Sequence, residues 1–98
     1  MRFQWDPDKY AENLRKHHVR FEAAVTVFED PNEFTEEDLD ATAERRWRTI
    51  GRTDFGTHLF VIYTERGMIE GEVVVRIISA RPATAREKKR YERQASFR

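Results

Sequence analysis

The stretch from Glu72 to Glu92, "EVVVRIISARPATAREKKRYE", changes from the pattern of a strand to that of a helix. Its first half is rich in β-branched residues, as strands are, and the Arg81–Pro82 pair marks the strand end. Thr84 followed by Glu87 forms a T-x-x-E capping box, which predicts that a helix begins here. The inward side of that helix would carry Glu87, Tyr91 and Ala95, and a cationic stripe would carry Arg86, Lys89 and Arg93.

Two segments upstream share the period of two that is typical of strands. They are "RRWRTIGRT" (45–53) and "THLFVIYTE" (57–65), both rich in β-branched and aromatic residues. The connections "TDFGT" (53–57) and "RGMIEG" (66–71) contain the glycines that turns favour. Together with "EVVVRIISA" (72–80), these segments predict an antiparallel meander of three strands.

The N-terminal part predicts a short strand and then a helix. "RFQW" (2–5) alternates in polarity, and Asp6–Pro7 supplies a capping residue and a proline that suits the first helical position. Trp5 and Tyr10 are spaced for a hydrophobic staple. The helical spacing from Tyr10 also puts His17 on the inward stripe.

A second amphipathic helix is predicted for "FEAAVTVF" (21–28), and Asp30–Pro31 ends it. The acidic segment "NEFTEEDLDATAE" (32–44) predicts a loop, in which Thr35 and Asp38 could start one weak helical turn. The chain is therefore expected to be a single domain, residues 1–98, of the α+β class. Its layout would be β-α-α-β-β-β-α, with the helices packed on a twisted antiparallel sheet.

Composition narrows the possible chemistry and location. The 98 residues include no cysteine, which excludes disulfides, thiolate catalysis and thiolate metal sites. Hydrophobic residues make up 39% and charged residues 37%, so long charged side chains must cover most of the surface. No apolar run approaches the about 18 residues of a membrane span, and the N-terminus lacks a signal-peptide core. These features predict a cytoplasmic protein that does not contact a membrane.

The formal net charge of zero hides an asymmetry along the chain. Between Glu29 and Glu44 there are eight acids and no base, whereas between Arg76 and Arg98 there are eight bases and two acids. Such a separation can produce a face that binds polyanions. In the alternative interpretation, the acidic and basic segments only screen each other on the surface.

The first candidate site is the cluster Lys16, His17 and His18 at the end of the first helix. A histidine there could move a proton in catalysis. However, cations at a helix C-terminus are also favoured by the helix dipole alone, so the cluster has a structural explanation. Adjacent histidines point to different sides of a helix and His58 lies far along the chain, so no metal site is predicted.

The second candidate site is the junction of the last strand and the last helix. It collects Arg76, Ser79, Arg81, Thr84, Glu87 and Tyr91. A helix N-terminus and two guanidinium groups can bind a phosphate without a metal. Strand alternation would put Arg76 and Arg81 on opposite faces unless the strand ends or bulges near Ser79. Alternatively, the arginines pair with acids such as Glu44 or Glu72, and Thr84 only caps the helix.

Three motifs resemble the BrnT family of bacterial toxins over about residues 3–91. They are "FQWDPDKYAENLRKHHVRFEAAVTVFEDP" (3–31), "ERRWRTIG" (44–51) and "RIISARPATAREKKRYE" (76–92). The family pattern includes D-P-x-K, N-x-x-K-H, F-x-x-A and R-I-I-S-A-R-x-A-T-x-x-E, in this order. The family usually has glycine where this chain has His18, which predicts a different ending of the first helix because glycine supplies the left-handed cap.

The resemblance implies a RelE/ParE-like fold and a metal-independent ribonuclease that stops translation and needs no cofactor. It also implies a BrnA-like antitoxin with a ribbon-helix-helix part, through which the complex would bind operator DNA. RNA cleavage without a metal needs proton transfer and a stabilised phosphorane. The chain's own candidates for catalysis are Arg76 and Arg81 on the phosphate, with Glu87 and His17 as proton carriers. The candidates for binding RNA or its phosphates are Lys16, Ser79, Thr84, Lys88 and Tyr91.

Two other functions remain open at the level of the sequence. The basic helix could belong to a non-catalytic module that binds RNA or an acidic protein. The ParE side of the superfamily also allows a toxin that acts on gyrase. Growth arrest with cleaved RNA, growth arrest with intact RNA, and unaffected growth would distinguish the three functions when the chain is expressed in bacteria.

Overall fold

The computed structural model describes residues 1–97, so Arg98, one of the C-terminal bases, lies outside the described residues. Within these residues the chain forms five strands and three helices. In chain order they are β1 (Arg2–Gln4), α1 (Pro7–His17), α2 (Phe21–Val27), β2 (Phe34–Asp38), β3 (Arg46–Arg52), β4 (His58–Ile69), β5 (Glu72–Pro82) and α3 (Ala85–Ala95). No helix in residues 1–97 is both long and apolar enough to cross a membrane.

All five strands form one sheet in the order β1-β5-β4-β3-β2. The predicted α+β class and the antiparallel meander of β3, β4 and β5 are confirmed. The prediction of a wholly antiparallel sheet is wrong, because β1 pairs with β5 in parallel, with Phe3 opposite Val75. The predicted turn at 66–71 is also too long, since β4 continues to Ile69 and the hairpin closes at Glu70 and Gly71, both with positive φ.

The predicted loop at 32–44 is wrong for residues 34–38, which form β2 at the edge of the sheet. Apolar alternation does not mark this strand. Its glutamates instead pair with bases in or next to β3: Glu37 pairs with Arg45, and the carboxylate of Glu36 accepts a bond from Arg48 Nε at 3.0 Å. The hydroxyls of Thr35 and Thr49 lie 2.8 Å apart. Cross-strand pairs of opposite charge and paired hydroxyls thus stabilise a strand that has little hydrophobic pattern.

The main core lies between α2 and one side of the sheet, which we call the α2 side. Phe21, Ala24 and Val27 of α2 are fully buried against Val61 and Ile77 of the central strands. Gly51 of β3 lets α2 approach, since a Cβ at this position would stand 2.4 Å from Val27 Cγ1. The opposite side, which faces α3, is called the α3 side.

The start of helix α1 agrees with the sequence prediction, whereas its C-terminal end does not. The carboxylate of Asp6 accepts the N–H of Asp8, and Trp5 meets Tyr10 edge-on at 5.6 Å. At the other end, His18 has a φ of +58° and its N–H donates to the carbonyl of Leu14. The expectation that His18 would change this ending is wrong, because the histidine adopts the left-handed conformation that glycine favours.

Asn13 joins α1 to β5 beyond the point where β1 ends. Its side-chain amide is buried, donates to the carbonyls of Val19 and Ala80, and accepts the N–H of Ala80. One side chain therefore satisfies both backbone groups of Ala80 at the open edge of the sheet, where no strand pairs with them.

Candidate nucleic-acid interface

A β-bulge in β5 puts the predicted arginines on the same side of the sheet. Ser79 pairs with Ile62 and Ile77 with Tyr63, so Ile78 is an extra residue opposite no partner. Without the bulge, Arg76 and Arg81 would alternate to opposite faces. With it, both lie on the α3 side together with Ser79, while Ile77 and Ala80 still face the core.

Arg81 lies at the start of α3 and is paired with Glu87. Its guanidinium donates to both carboxylate oxygens of Glu87 at 2.8 and 2.9 Å and lies over the Phe60 ring, 4.2 Å from the centroid. The hydrogen bond from Arg81 is the largest cause that lowers the pKa of the Glu87 carboxyl, and the N–H of Thr84 adds to it. Glu87 is therefore held as a carboxylate in the free chain.

Arg76 differs from Arg81 because it has no carboxylate partner within residues 1–97. The acids once expected to pair with the arginines bind elsewhere, Glu44 with Arg66 and Glu72 with Arg2. The Nε of Arg76 is buried without a hydrogen-bond partner among the described residues. Its guanidinium is thus available to an external anion, whereas that of Arg81 would have to leave or share Glu87.

A second group of charges on the α3 side was missed by the sequence analysis. Glu36 of β2 accepts bonds from Arg48 at 3.0 Å and from Arg90 of α3 at 3.1 Å. Arg90 also lies over the Phe34 ring. This cluster was not recognised because residues 34–38 were assigned to a loop; the opposite charges of "TEED" and "RRWR" were the available signal.

The N-terminal turn of α3 is built as the capping box predicts. The hydroxyl of Thr84 accepts the N–H of Glu87, and the Glu87 carboxylate accepts the N–H of Thr84. The outer side of the helix carries a shallow groove lined by Arg86, Lys89, Arg90 and Arg93, and Lys88 is exposed beside it. The predicted cationic stripe therefore exists, with Arg90 as an additional member.

Tyr91 anchors α3 and is buried. Its hydroxyl donates to Asp30 Oδ2 at 2.7 Å, and its ring meets His58 edge-on at 4.9 Å. Burial alone would raise the pKa of Asp30, but the N–H groups of Arg52 and Asn32 and the Tyr91 hydroxyl outweigh it and lower the pKa. This placement favours the structural role of Tyr91 over its predicted contact with RNA.

Lys16 and His17 lie apart from the arginine side. They line a cavity of about 230 Å³ between α1 and the open edge of β5, where Lys16 pairs with Glu12 at 2.9 Å. Ser79 lines the same cavity and is the only predicted site residue among residues 1–97 that connects it with the α3 side. The sequence-predicted site is thus divided into an arginine part and a histidine part.

The described residues, 1–97, contain no group of three or more His, Asp or Glu side chains that could hold a metal ion. The three histidines are distributed over the end of α1 and the start of β4. The groups assembled at the strand-helix junction are therefore guanidinium, hydroxyl and carboxylate groups, which bind and orient phosphates through charge-assisted hydrogen bonds.

Comparison with known proteins identifies the family. Residues 5–87 match the family model described as "Ribonuclease toxin, BrnT, of type II toxin-antitoxin system". The chain belongs to the BrnT family. No curated protein sequence matches the chain.

A solved BrnT structure has a similar fold. It is the crystal structure of the Brucella abortus ribonuclease toxin BrnT, with a TM-score of 0.58 and 22% identity. The alignment covers 86% of this chain and 97% of that chain. At this identity the similarity supports the fold only, and it agrees with the mixed sheet and three helices described above.

Membership of the BrnT family places the chain among the ribonuclease toxins of type II toxin–antitoxin systems, which implies an RNA target and an antitoxin partner. The family match ends at Glu87, in the first turn of α3. Most of the cationic groove of α3 therefore lies beyond the matched residues, whereas the bulge in β5 and both arginines lie within them.

Proposed function

We propose that the chain is a metal-independent endoribonuclease that stops translation and that a BrnA-like ribbon-helix-helix antitoxin holds inactive. The observation that carries the proposal is the bulge at Ile78, because it puts Arg76 and Arg81 on one side of the sheet, beside the basic helix α3. Family membership supplies the reaction class, RNA cleavage. The cell target and the antitoxin type are inferred from the sequence resemblance.

The two arginines have different tasks in the proposed mechanism. Along β4, their cross-strand partners are separated by four positions, a distance of about 13 Å. Long guanidinium side chains can converge on a phosphodiester between these positions. There they would stabilise the charge that develops when the ribose 2′-oxygen attacks phosphorus. Thr84, Ser79 and Lys88 would orient the flanking backbone.

Proton transfer is assigned to Glu87 and His17. While Arg81 binds Glu87, the carboxylate is ionised and its basicity is low. When Arg81 turns toward a phosphate, Glu87 loses its main cationic partner and becomes a better acceptor for the proton of the 2′-hydroxyl. His17, across Ser79, would protonate the leaving 5′-oxygen, while Lys16 beside it binds the backbone.

Expression in bacteria, followed by assays with purified protein, tests this proposal. We expect growth arrest, cleaved cellular RNA, and cleavage by purified protein that continues in EDTA. Arrest with intact RNA would instead support a gyrase-directed toxin, and unaffected growth a binding module for RNA or protein. Cleavage that stops in EDTA and returns with added metal would contradict metal independence.

The variant Arg81→Ala tests the site. Loss of a charge-assisted phosphate contact is expected to cost about 2–4 kcal/mol at the transition state, so toxicity should disappear. Binding to the co-expressed antitoxin should persist, as measured by co-purification. Arg15→Ala is the matched control, since Arg15 is exposed on α1 and makes only a 3.6 Å ion pair. Full activity of Arg81→Ala would place the site elsewhere.

A further inference from the structure

Arg76 lies in a row of side chains on the α3 side whose other members have no assigned role. Gln4 of β1 pairs with Arg76 of β5, which pairs with Thr64 of β4. The last pair of β3 with β4 is Trp47 and Tyr63, and Arg46 precedes Trp47 on the α3 side, where Arg48 also lies. Thr64 therefore has Arg76 as its direct partner on β5, and Arg46 lies on the same side of the sheet just beyond the last pair of β3 with β4.

The central residue of this row carries an unused hydroxyl. Thr64 is 1% exposed, and its Oγ1 has no hydrogen-bond partner within residues 1–97. Its cross-strand neighbour, Arg76, has a buried Nε that is also without a partner there. A buried polar group without a hydrogen bond costs free energy, so a donor and an acceptor left unpaired side by side require an explanation.

Arg46 is the other unusual member of the row. Three arginines of the α3 side are neutralised internally, Arg81 by Glu87 and Arg48 and Arg90 by Glu36. Arg46, in contrast, makes no ion pair within the described residues, although it pairs along the backbone with Asp38. The Asp38 carboxylate instead accepts the N–H of Asp40 at 3.1 Å.

We propose that Arg46 also contacts the RNA phosphate that Arg76 binds, and that Thr64 positions Arg76 by accepting its Nε–H. The terminal nitrogens of Arg76 are then directed at the phosphate oxygens, with the guanidinium fixed at its Nε. Arg46 supplies the second cation from β3. Ligand binding would thereby satisfy both unpaired atoms. This inference rests on the proposed function, because RNA supplies the phosphate.

Arg46→Gln tests the phosphate contact, and Arg45→Gln is its matched control. Arg45 is the preceding residue, but it pairs with Glu37 and lies over Trp47, whose side chain packs against the core on the α2 side. The probe is a single-stranded RNA with 2′-O-methyl riboses, which cannot be cleaved by 2′-oxygen attack. We expect Arg46→Gln to weaken binding at least about tenfold and to reduce the slope of log K against log salt by about 0.7.

Thr64→Val and Thr64→Ser test the positioning role. Valine removes a hydroxyl that has no partner in the free chain, so the stability of the free chain should not fall, while RNA binding should weaken several-fold. Serine keeps the hydroxyl and should restore binding. A residue with a purely structural role would show a stability loss in step with the loss of binding.

The results of these experiments distinguish a failure of this site from a failure of the proposed function. If the wild type binds RNA and Arg46→Gln keeps the wild-type salt slope, or Arg45→Gln has an equal effect, the site is overturned while the proposed function stands. If Thr64→Val binds RNA as the wild type does, the positioning role is overturned. If the wild type neither binds nor cleaves RNA, the proposed function is overturned together with the site.

Discussion

The two sides of the sheet are formed by the same strands but differ in polarity. The α2 side is closed by Phe21, Ala24 and Val27, all fully buried, and the strand residues that contact them are mainly apolar. The α3 side carries arginines of β3 and β5, and α3 contacts it at Phe34 and Glu36 of β2 and at His58 at the start of β4. The first side provides stability, and the second leaves charged groups accessible.

The difference depends on one inserted residue. Because Ile78 is extra, β5 directs Ile77 and Ala80 into the core and still presents both Arg76 and Arg81 on the α3 side. A regular strand with this sequence would bury one arginine or expose one core residue. A bulge can therefore give a single strand two functions, packing and ligand binding.

The largest expected effect on stability comes from a substitution on the α2 side. Phe21→Ala should lower the free energy of unfolding by about 3–5 kcal/mol, because a fully buried ring that stacks on Tyr10 is removed. Denaturant unfolding followed by circular dichroism measures the loss. Phe55→Ala is the control, since Phe55 is 83% exposed and its removal should change stability by less than about 0.5 kcal/mol. Equal losses of stability in the two variants would contradict the inference that the core on the α2 side provides the stability.

Stability should be almost as sensitive to a substitution at the open edge of β5, where Asn13 binds the backbone of Ala80. Asn13→Leu leaves the N–H and carbonyl of Ala80 unbonded and should cost about 2–4 kcal/mol. Hydrogen exchange at Ala80 should also become faster, because its amide loses its acceptor. Gln94→Ala, an exposed amide on α3, should leave both measurements unchanged. A stable Asn13→Leu variant with a protected Ala80 amide would show that another group covers this edge.

On the α3 side, stability should depend on pH through Glu87. Its pKa is lowered in the folded chain, mainly by Arg81, so its stabilisation is complete above the unfolded pKa and is lost as pH falls through the folded pKa. Glu87→Gln should therefore lose less stability than the wild type between about pH 7 and about pH 3. Glu92→Gln, an exposed acid on the same helix, should follow the wild type. Identical pH profiles for wild type and Glu87→Gln would show that the Arg81–Glu87 ion pair does not contribute to the stability.

The smallest expected effect lies at the end of α1, away from both sides. His18→Gly should raise the free energy of unfolding by about 1 kcal/mol, because glycine adopts a positive φ without the steric cost of a Cβ. His18→Ala keeps the Cβ and should bring no gain. Thermal unfolding of the three proteins measures the difference. A destabilised glycine variant would mean that the His18 side chain makes a contact worth more than the strain.

Local patterns in the sequence predict most of the fold. The caps of α1 and α3 and the period-two segments indicate their elements correctly, because these signals act between residues close along the chain. Strand β2 was missed since its stability comes from pairing with β3, which no local pattern encodes. The parallel pairing of Phe3 with Val75 is a contact across the whole chain and was missed for the same reason.

The candidate site was predicted in part. The sequence pointed to the strand-helix junction, and the structure assembles Arg81, Thr84 and Glu87 there. Whether Arg76 shares their side depended on the bulge, which the sequence allowed but did not require. Arg46 was overlooked, although alternation around Trp47 already places it opposite the core.

The parallel pairing of β1 with β5 affects the order in which the strands can pair during synthesis. The residues that Arg2, Phe3 and Gln4 need as partners, 74–76, are synthesised about 70 residues after them. β1 must therefore stay unpaired until β5 has emerged from the ribosome. A chain that stops before β5 would therefore contain β1 without its partner strand and would lack Arg76 and Arg81, the two arginines proposed to bind the RNA phosphate.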